Sequence, residues 1–218
     1  MSVIPYILLA NLPQTIISLI YLIYNAQLTT MLAHREWSNY VAKRASLRVT
    51  YPSPSQRSTY YLQLPYVFSV PLIFAAVILH WFISQAIFLV RIIAYHDGKP
   101  VHMDGVAYSQ DGIIYSAVGY SASAFIGGIV WGSALVAAII AVGFFRRYPI
   151  GLPIGGTNSA IISAACHVQP EQKEKGDAFD RPLKWGVTSL GSEEIVGHCS
   201  FSSDEVDLPQ VGYLYAGY

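Results

Sequence analysis

Residues 58–90, STYYLQLPYVFSVPLIFAAVILHWFISQAIFLV, contain no Asp, Glu, Lys or Arg. A helix needs only about 20 apolar residues to cross a bilayer, and this run is longer, closed by Arg57 at one end and Arg91 at the other. Tyr60, Tyr61 and Tyr66 gather near the first boundary, as amphipathic rings do at headgroup depth. Pro65 and Pro71 lack an N–H and fit best in a first turn, so the regular helix is expected after Pro71. His80 then falls near mid-membrane, with Ser84 one turn on along the same face and Gln85 beside it. An ionisable residue at that depth marks a functional candidate. The plainer role is a neutral imidazole hydrogen-bonded to a neighbouring helix.

Composition agrees with a membrane chain. Over 218 residues, 53% are hydrophobic and 12% charged, with a mean hydropathy of +0.41. Soluble domains carry about 25% charged residues, twice this supply. The net charge is zero, but the charges are segregated by segment. No basic face with interleaved aromatics points to nucleic acid. Cys166 and Cys199 are too few for a disulfide scaffold. The start, MSVIPYILLANLPQ, lacks a positive leader region, and its apolar run outlasts that of a signal peptide, so it is expected to be a retained span.

On the N-terminal side of residues 58–90 lies a basic connector: Arg35, Lys43, Arg44, Arg48 and Arg57 against a single Glu36, with Trp37 and Tyr40 expected at the interface. Short basic loops stay cytoplasmic, and each basic residue near an anionic lipid surface gains about 1 kcal/mol. Before it, residues 1–33 are charge-free, with Pro5 and Pro13 predicting a broken start and a regular helix from about Pro13 to Leu32. Within it Asn11, Gln14, Ser18, Tyr21 and Asn25 follow at alternating steps of three and four, which puts them on one helical face. A polar stripe avoids lipid and turns towards other helices or a hydrated cavity. Asn11 and Gln14 are further expected to satisfy carbonyls freed by Pro13.

On the C-terminal side, residues 92–115 are acidic on balance and carry Asp-Gly pairs beginning at Asp97, Asp104 and Asp111, two of which open the near-copies DGVAYS and DGIIYS. Asp-Gly favours tight turns, so a turn or short hairpin is expected there. His96, Asp97, His102 and Asp104 match no standard metal spacing. A third span over about 116–145 ends at Arg146 and Arg147. Its Ala124, Gly128 and Gly132 recur every four residues, a small-residue face on which two helices approach closely. The loop charges alternate consistently: N-terminus outside, 35–57 inside, 92–115 outside, 148 onward inside.

Beyond residue 148 a Pro/Gly-rich connector leads to SAIISAACH, a short helix that Thr157 or Asn158 would cap. Short alternating runs around Trp185–Thr188, 195–201 and 213–215 predict a small β element against the membrane face, with little core of its own. Cys166-His167 and His198-Cys199 form a mirrored pair of the residue types that bind zinc. Neighbouring side chains in a strand point to opposite faces, which argues against a shared ion. Catalysis by a Cys–His couple would need an orienting group and an activated thiolate, and the sequence identifies neither.

QRSTYYLQLPYVFSVPLIFAAVILHWFISQAIFLV, with ANLPQTIISLIYLIYNAQLT, SAIISAACH, LKWGV and GHCSFS, resembles the C-terminal part of an uncharacterised family of multi-pass membrane proteins from filamentous fungi. The resemblance spans nearly the whole chain and implies a membrane location without an assigned activity. The family carries a further N-terminal membrane domain that is missing here, which implies a truncated product or a shortened paralogue. Where the family has Cys-Gly-Tyr-Ser-Pro, this chain has Val118-Gly119-Tyr120-Ser121-Ala122.

The expectation is therefore an all-α integral membrane protein with three transmembrane helices and a small irregular or β cytoplasmic tail. Its parts are 1–34, first span; 35–57, basic cytoplasmic loop; 58–91, second span; 92–115, non-cytoplasmic loop; 116–147, third span; and 148–218, tail. Its expected role is a structural or interaction component of a membrane assembly, without an enzymatic activity. Its expected partners are the lipid bilayer and either a second copy or a larger membrane protein, and the plasma membrane is favoured. The first alternative is a transporter or channel component that uses Asn11, Gln14, Ser18, Asn25, His80, Ser84 and Gln85. The second is a metal-binding or enzymatic membrane protein with zinc on Cys166, His167, His198 and Cys199.

Overall fold

A computed structural model describes residues 3–93, 95–96, 99–100, 108–109, 112–149, 152–153, 155, 157–167, 179–191 and 196–216. Among these are four helices, three of them long and apolar enough to cross a membrane, and several small sheets. The chain divides into two compact units, Met1–Asn25 with Val70–Gly143, and Ala26–Ser69 with Phe144–Tyr218.

The first helix, α1 (Ile4–Ala42), has 39 residues and keeps Pro13 inside it. The helix expected from Pro13 to Leu32 thus extends at both ends. Residues 14–42 hold no Gly or Pro to stop it, and charge alone does not break a helix. The turns that read as a connector, 34–42, are helical because Trp37, Tyr40 and Val41 are buried in a core. Asn11 Nδ2 donates to Ile7 O at 2.8 Å. That is not Leu9 O, the carbonyl that Pro13 leaves without its helical donor.

The second helix, α2 (Tyr66–Ala86), begins just after Pro65, whose carbonyl accepts Phe68 N at 2.8 Å and Ser69 N at 3.0 Å. Pro71 therefore lies inside the helix rather than at its start. At about 1.5 Å per residue these 21 residues reach about 31 Å, the thickness of a hydrocarbon core by themselves. The apolar run continues past Ala86 as strand β3 (Ile87–Ile93), so the helix expected through residue 91 stops sooner.

Two two-residue strands follow, β4 (Tyr95–His96) and β5 (Lys99–Pro100), then β6 (Tyr108–Ser109) and β7 (Gly112–Tyr120). Strand β3 pairs antiparallel with β7 from Ile87 opposite Tyr120 to Ile93 opposite Ile114. The β-branched and aromatic residues of both runs suit a ladder, and Ser121 N bonds Ala86 O at 3.0 Å where it ends. The third helix, α3 (Ala122–Phe145), accordingly starts later than residue 116. β-Structure is therefore not confined to the tail. In the segment where a turn or short hairpin is expected, β4 pairs antiparallel with β5, His96 opposite Lys99, and β6 with β7, Ser109 opposite Gly112. Asp97, His102, Asp104 and Asp111 lie outside the described residues.

In this first unit, Tyr24 Oη donates to Leu135 O and Trp131 Nε1 to Ala75 O, both at 3.0 Å. These bonds tie α1 to α3 and α3 to α2.

The second unit contains the parallel pair β1 (Arg48–Val49) and β2 (Arg57–Ser58), helix α4 (Ser159–Ala165) and the sheet β8 (Lys184–Ser189), β9 (Gly197–Ser202) and β10 (Tyr215–Ala216). Asn158 caps α4, its Oδ1 accepting Ala160 N at 2.9 Å and Ile161 N at 3.4 Å. The core joins Trp37, Tyr40 and Val41 of α1 to Leu152, Ala165, Leu183 and Trp185. The Phe201 ring lies 5.5 Å from that of Trp37 and 5.3 Å from that of Tyr40. Ala45 and Leu183 exchange backbone hydrogen bonds at 2.9 Å in both directions. The described residues after 148 thus complete a core together with the end of α1.

Candidate functional site

A charged recess lies within the second unit, among residues 29–68, and has a volume of about 700 Å³. The end of α1 supplies Arg35, Glu36, Asn39 and Lys43, spaced so that they share one face. Strands β1 and β2 run parallel with Arg48 directly opposite Arg57, which delivers both guanidiniums to the same carboxylate. Glu36 Oε1 accepts Arg48 Nε at 3.2 Å and Arg57 Nη2 at 3.4 Å.

The two arginines are held by more than charge. Arg48 stacks on the Tyr60 ring, 3.9 Å from its centroid, donates to Tyr60 Oη at 2.9 Å and to Ser58 O at 2.6 Å. Arg57 donates to Ser46 O through both Nε and Nη2, at 3.0 and 2.7 Å. Arg35 sits 5.9 Å over the Phe68 ring. The Arg35 guanidinium and the Lys43 ammonium make no hydrogen bond or ion pair among the described residues. Four cations thus line the recess against one carboxylate. Leu32, Ala33, Leu64, Pro65 and Phe68 also line it.

The residues singled out from the sequence fall elsewhere. In the first unit Ser18, Tyr21 and His80 line a shared recess of about 440 Å³ with Leu22, Ile73, Ala76 and Val77. Ser18 Oγ bonds Gln14 O at 3.0 Å and Ser84 Oγ bonds Trp81 O at 2.8 Å, each within its own helix. Asn11 and Gln85 are exposed, and Gln14 and Asn25 half-buried. Of the stripe, Ser18 and Tyr21 line that recess with His80.

The small-residue face of α3 is turned to α2. A Cβ on Gly128 would lie 3.5 Å from Ile83 Cδ1, one on Gly132 3.8 Å from Leu79 Cδ1, and one on the neighbouring Gly127 2.5 Å from the Phe82 ring. Ala124 is half-buried on the same helix.

Cys166 ends α4 and is exposed, whereas Cys199 in β9 is half-buried and His198 is buried. Burial pushes the Cys199 thiol up to about 11, opposite to an activated thiolate. Among the described residues no three His, Cys, Asp or Glu side chains cluster as a metal set, so Cys166, His167, His198 and Cys199 do not converge on one point.

Sequence spacing identified Arg35 to Arg57 as a topological signal but not as a recess. The available hint was Glu36, the sole carboxylate among five cations in residues 35–57. The family model of a domain of unknown function (DUF8419) matches residues 1–196. No curated protein and no solved structure matches the chain.

Proposed function

The chain thus belongs to the DUF8419 family, whose function is unknown, and we propose from its own geometry that it is an integral membrane protein serving as a structural or interaction component of a membrane assembly. The observation that carries this is the apolar surface left outward on all three long helices. Leu8 on α1 is 65% exposed, Phe74 on α2 65% and Ile129 on α3 64%. Continuous apolar faces of this kind need lipid or protein to cover them. The interaction role is supported by the second unit, a folded body with a core rather than a trailing tail.

In this reading α1, α2 and α3 each cross the bilayer once. The N-terminus is non-cytoplasmic, while the basic residues 35–57 and the segment after Arg146 are cytoplasmic. The plasma membrane of a filamentous fungus is the favoured setting, on the resemblance of the spans to multi-pass proteins of those organisms. Partners are the bilayer and a second copy or a larger membrane protein. Alkaline carbonate extraction should leave the protein in the pellet, and crosslinking in native membranes should give a discrete higher species. Release by carbonate would remove the membrane reading; a monomer alone after crosslinking would remove the assembly reading.

A second reading, a transporter or channel component, has one observation in its favour: the recess shared by Ser18, Tyr21 and His80. Three spans rarely enclose a pathway, so this reading needs an oligomer. Unchanged solute uptake in His80→Leu and Asn25→Leu proteins would end it.

A further inference from the structure

The recess in the second unit has too much positive charge for its own carboxylate. Glu36 offsets one charge of the Arg48–Arg57 pair, and Arg35 and Lys43 add two more without an ion pair among the described residues. An anion entering the recess would offset the mutual repulsion of these cations. We propose that this recess binds the phosphate-monoester headgroup of a membrane lipid.

Three features support that chemistry. A phosphate monoester carries about −1.5 to −2 charges at pH 7 and offers three strong acceptor oxygens. Guanidinium forks match those oxygens, and Arg48 and Arg57 retain N–H groups that their present bonds leave unused. Among the described residues Arg57 bonds only through Nε and Nη2, so its whole Nη1 group remains. Arg48 uses one proton on each of its three nitrogens, so one remains on Nη1 and one on Nη2.

The position of the recess points to a lipid rather than a soluble ester. Thr29, Leu32 and Ala33 come from the end of the first charge-free run, and Leu64, Pro65 and Phe68 from the start of the second. Both apolar runs therefore give way to charge at this recess. An amphiphile with its phosphate among Arg35, Lys43, Arg48 and Arg57 would find Leu32, Ala33, Leu64, Pro65 and Phe68 lining the same recess. This source rests on the membrane reading above, and the anion chemistry does not.

The test uses the full chain purified in a neutral detergent, titrated with phosphatidic acid or phosphatidylcholine and followed by native mass spectrometry. One phosphatidic acid should bind saturably and in preference to phosphatidylcholine. An Arg35→Gln/Lys43→Gln protein should bind it roughly tenfold more weakly or worse. Neither side chain has a hydrogen bond or ion pair among the described residues, and Arg35 gives up only its stacking over Phe68, so the melting temperature should fall little, which separates lost binding from lost folding. An Arg146→Gln/Arg147→Gln protein, equally basic but outside the recess, should stay within about twofold. Equal loss in both double variants, or no preference over phosphatidylcholine, would overturn the site. Inorganic phosphate binding as tightly as the lipid would overturn the lipid source. The carbonate extraction reports separately on the membrane reading.

Discussion

Gln63 has a backbone φ of 62°, the left-handed region that side chains other than Gly adopt at a cost. It sits on the rim of the basic recess, next to Leu64, which is 1% exposed and anchors the turn into α2. A β-branched residue there should strain the turn most. Gln63→Val is expected to lose about 1–2 kcal/mol relative to Gln63→Gly, measured as a difference in thermal midpoint between the two proteins. Cys199 gives a second prediction. Its thiol is pushed up to about 11 by burial, so a Cys166→Ser protein should react slowly with maleimide at pH 8. The labelling rate should keep rising about tenfold per pH unit towards 11 rather than level off near the ordinary thiol value. The same raised value means that any stability the protonated thiol contributes is present below about pH 9 and is lost as pH rises through 11. A rate that levels off near pH 9 would show Cys199 to be open to solvent.

Strand β8 is fixed against the backbone that follows β9. Val187 N bonds Asp207 O at 2.8 Å, and Gly186 lies so close that an added Cβ would collide with that same carbonyl oxygen and with Val206. Backbone cannot rotate aside as a side-chain tip can. Gly186→Ala should therefore cost about 1–3 kcal/mol in the second unit, read as a fall in thermal midpoint. Gly127 makes a contrast. Its added Cβ would meet only the Phe82 ring, so Gly127→Ala should be largely relieved by Phe82→Leu, whereas no single side-chain change should relieve Gly186→Ala. The other lesson at this scale is the change from α2 to β3. Hydropathy is as high after Ala86 as before it, and only pairing with residues 112–120 distinguishes strand from helix. That partner lies some twenty-five residues away, beyond the reach of a local pattern.

The whole molecule has two units, each drawing on separate parts of the chain. The second depends on Leu183 and Trp185 to cover Trp37, Tyr40 and Val41. Trp185→Ala should cost about 3–5 kcal/mol and expose that core to an apolar dye. Trp185→Phe should cost much less, because the indole Nε1 of Trp185 has no hydrogen-bond partner among the described residues. Truncation before residue 183 should leave the end of α1 with the same uncovered aromatics and lower the yield of monodisperse protein. If the truncated chain stayed monodisperse, the shared core would have no part in the fold.

By itself the sequence determined where the long apolar segments lie, how the loop charges alternate, and where the last short strands run. Each of these is a sum or a period over neighbouring residues. Hydropathy accumulates along one helix, and alternation is visible along one strand, so no distant partner is needed to read them. Only the tertiary structure decided that helix gives way to strand at Ile87, and that the small-residue face of α3 receives α2. Only it brought Arg48 and Arg57 onto Glu36 and made Trp37, Tyr40 and Val41 part of the core with β8, Phe201 of β9 packed against it. All four follow from pairings between residues far apart in the chain, where packing and hydrogen bonding select one arrangement among many that the same local pattern permits.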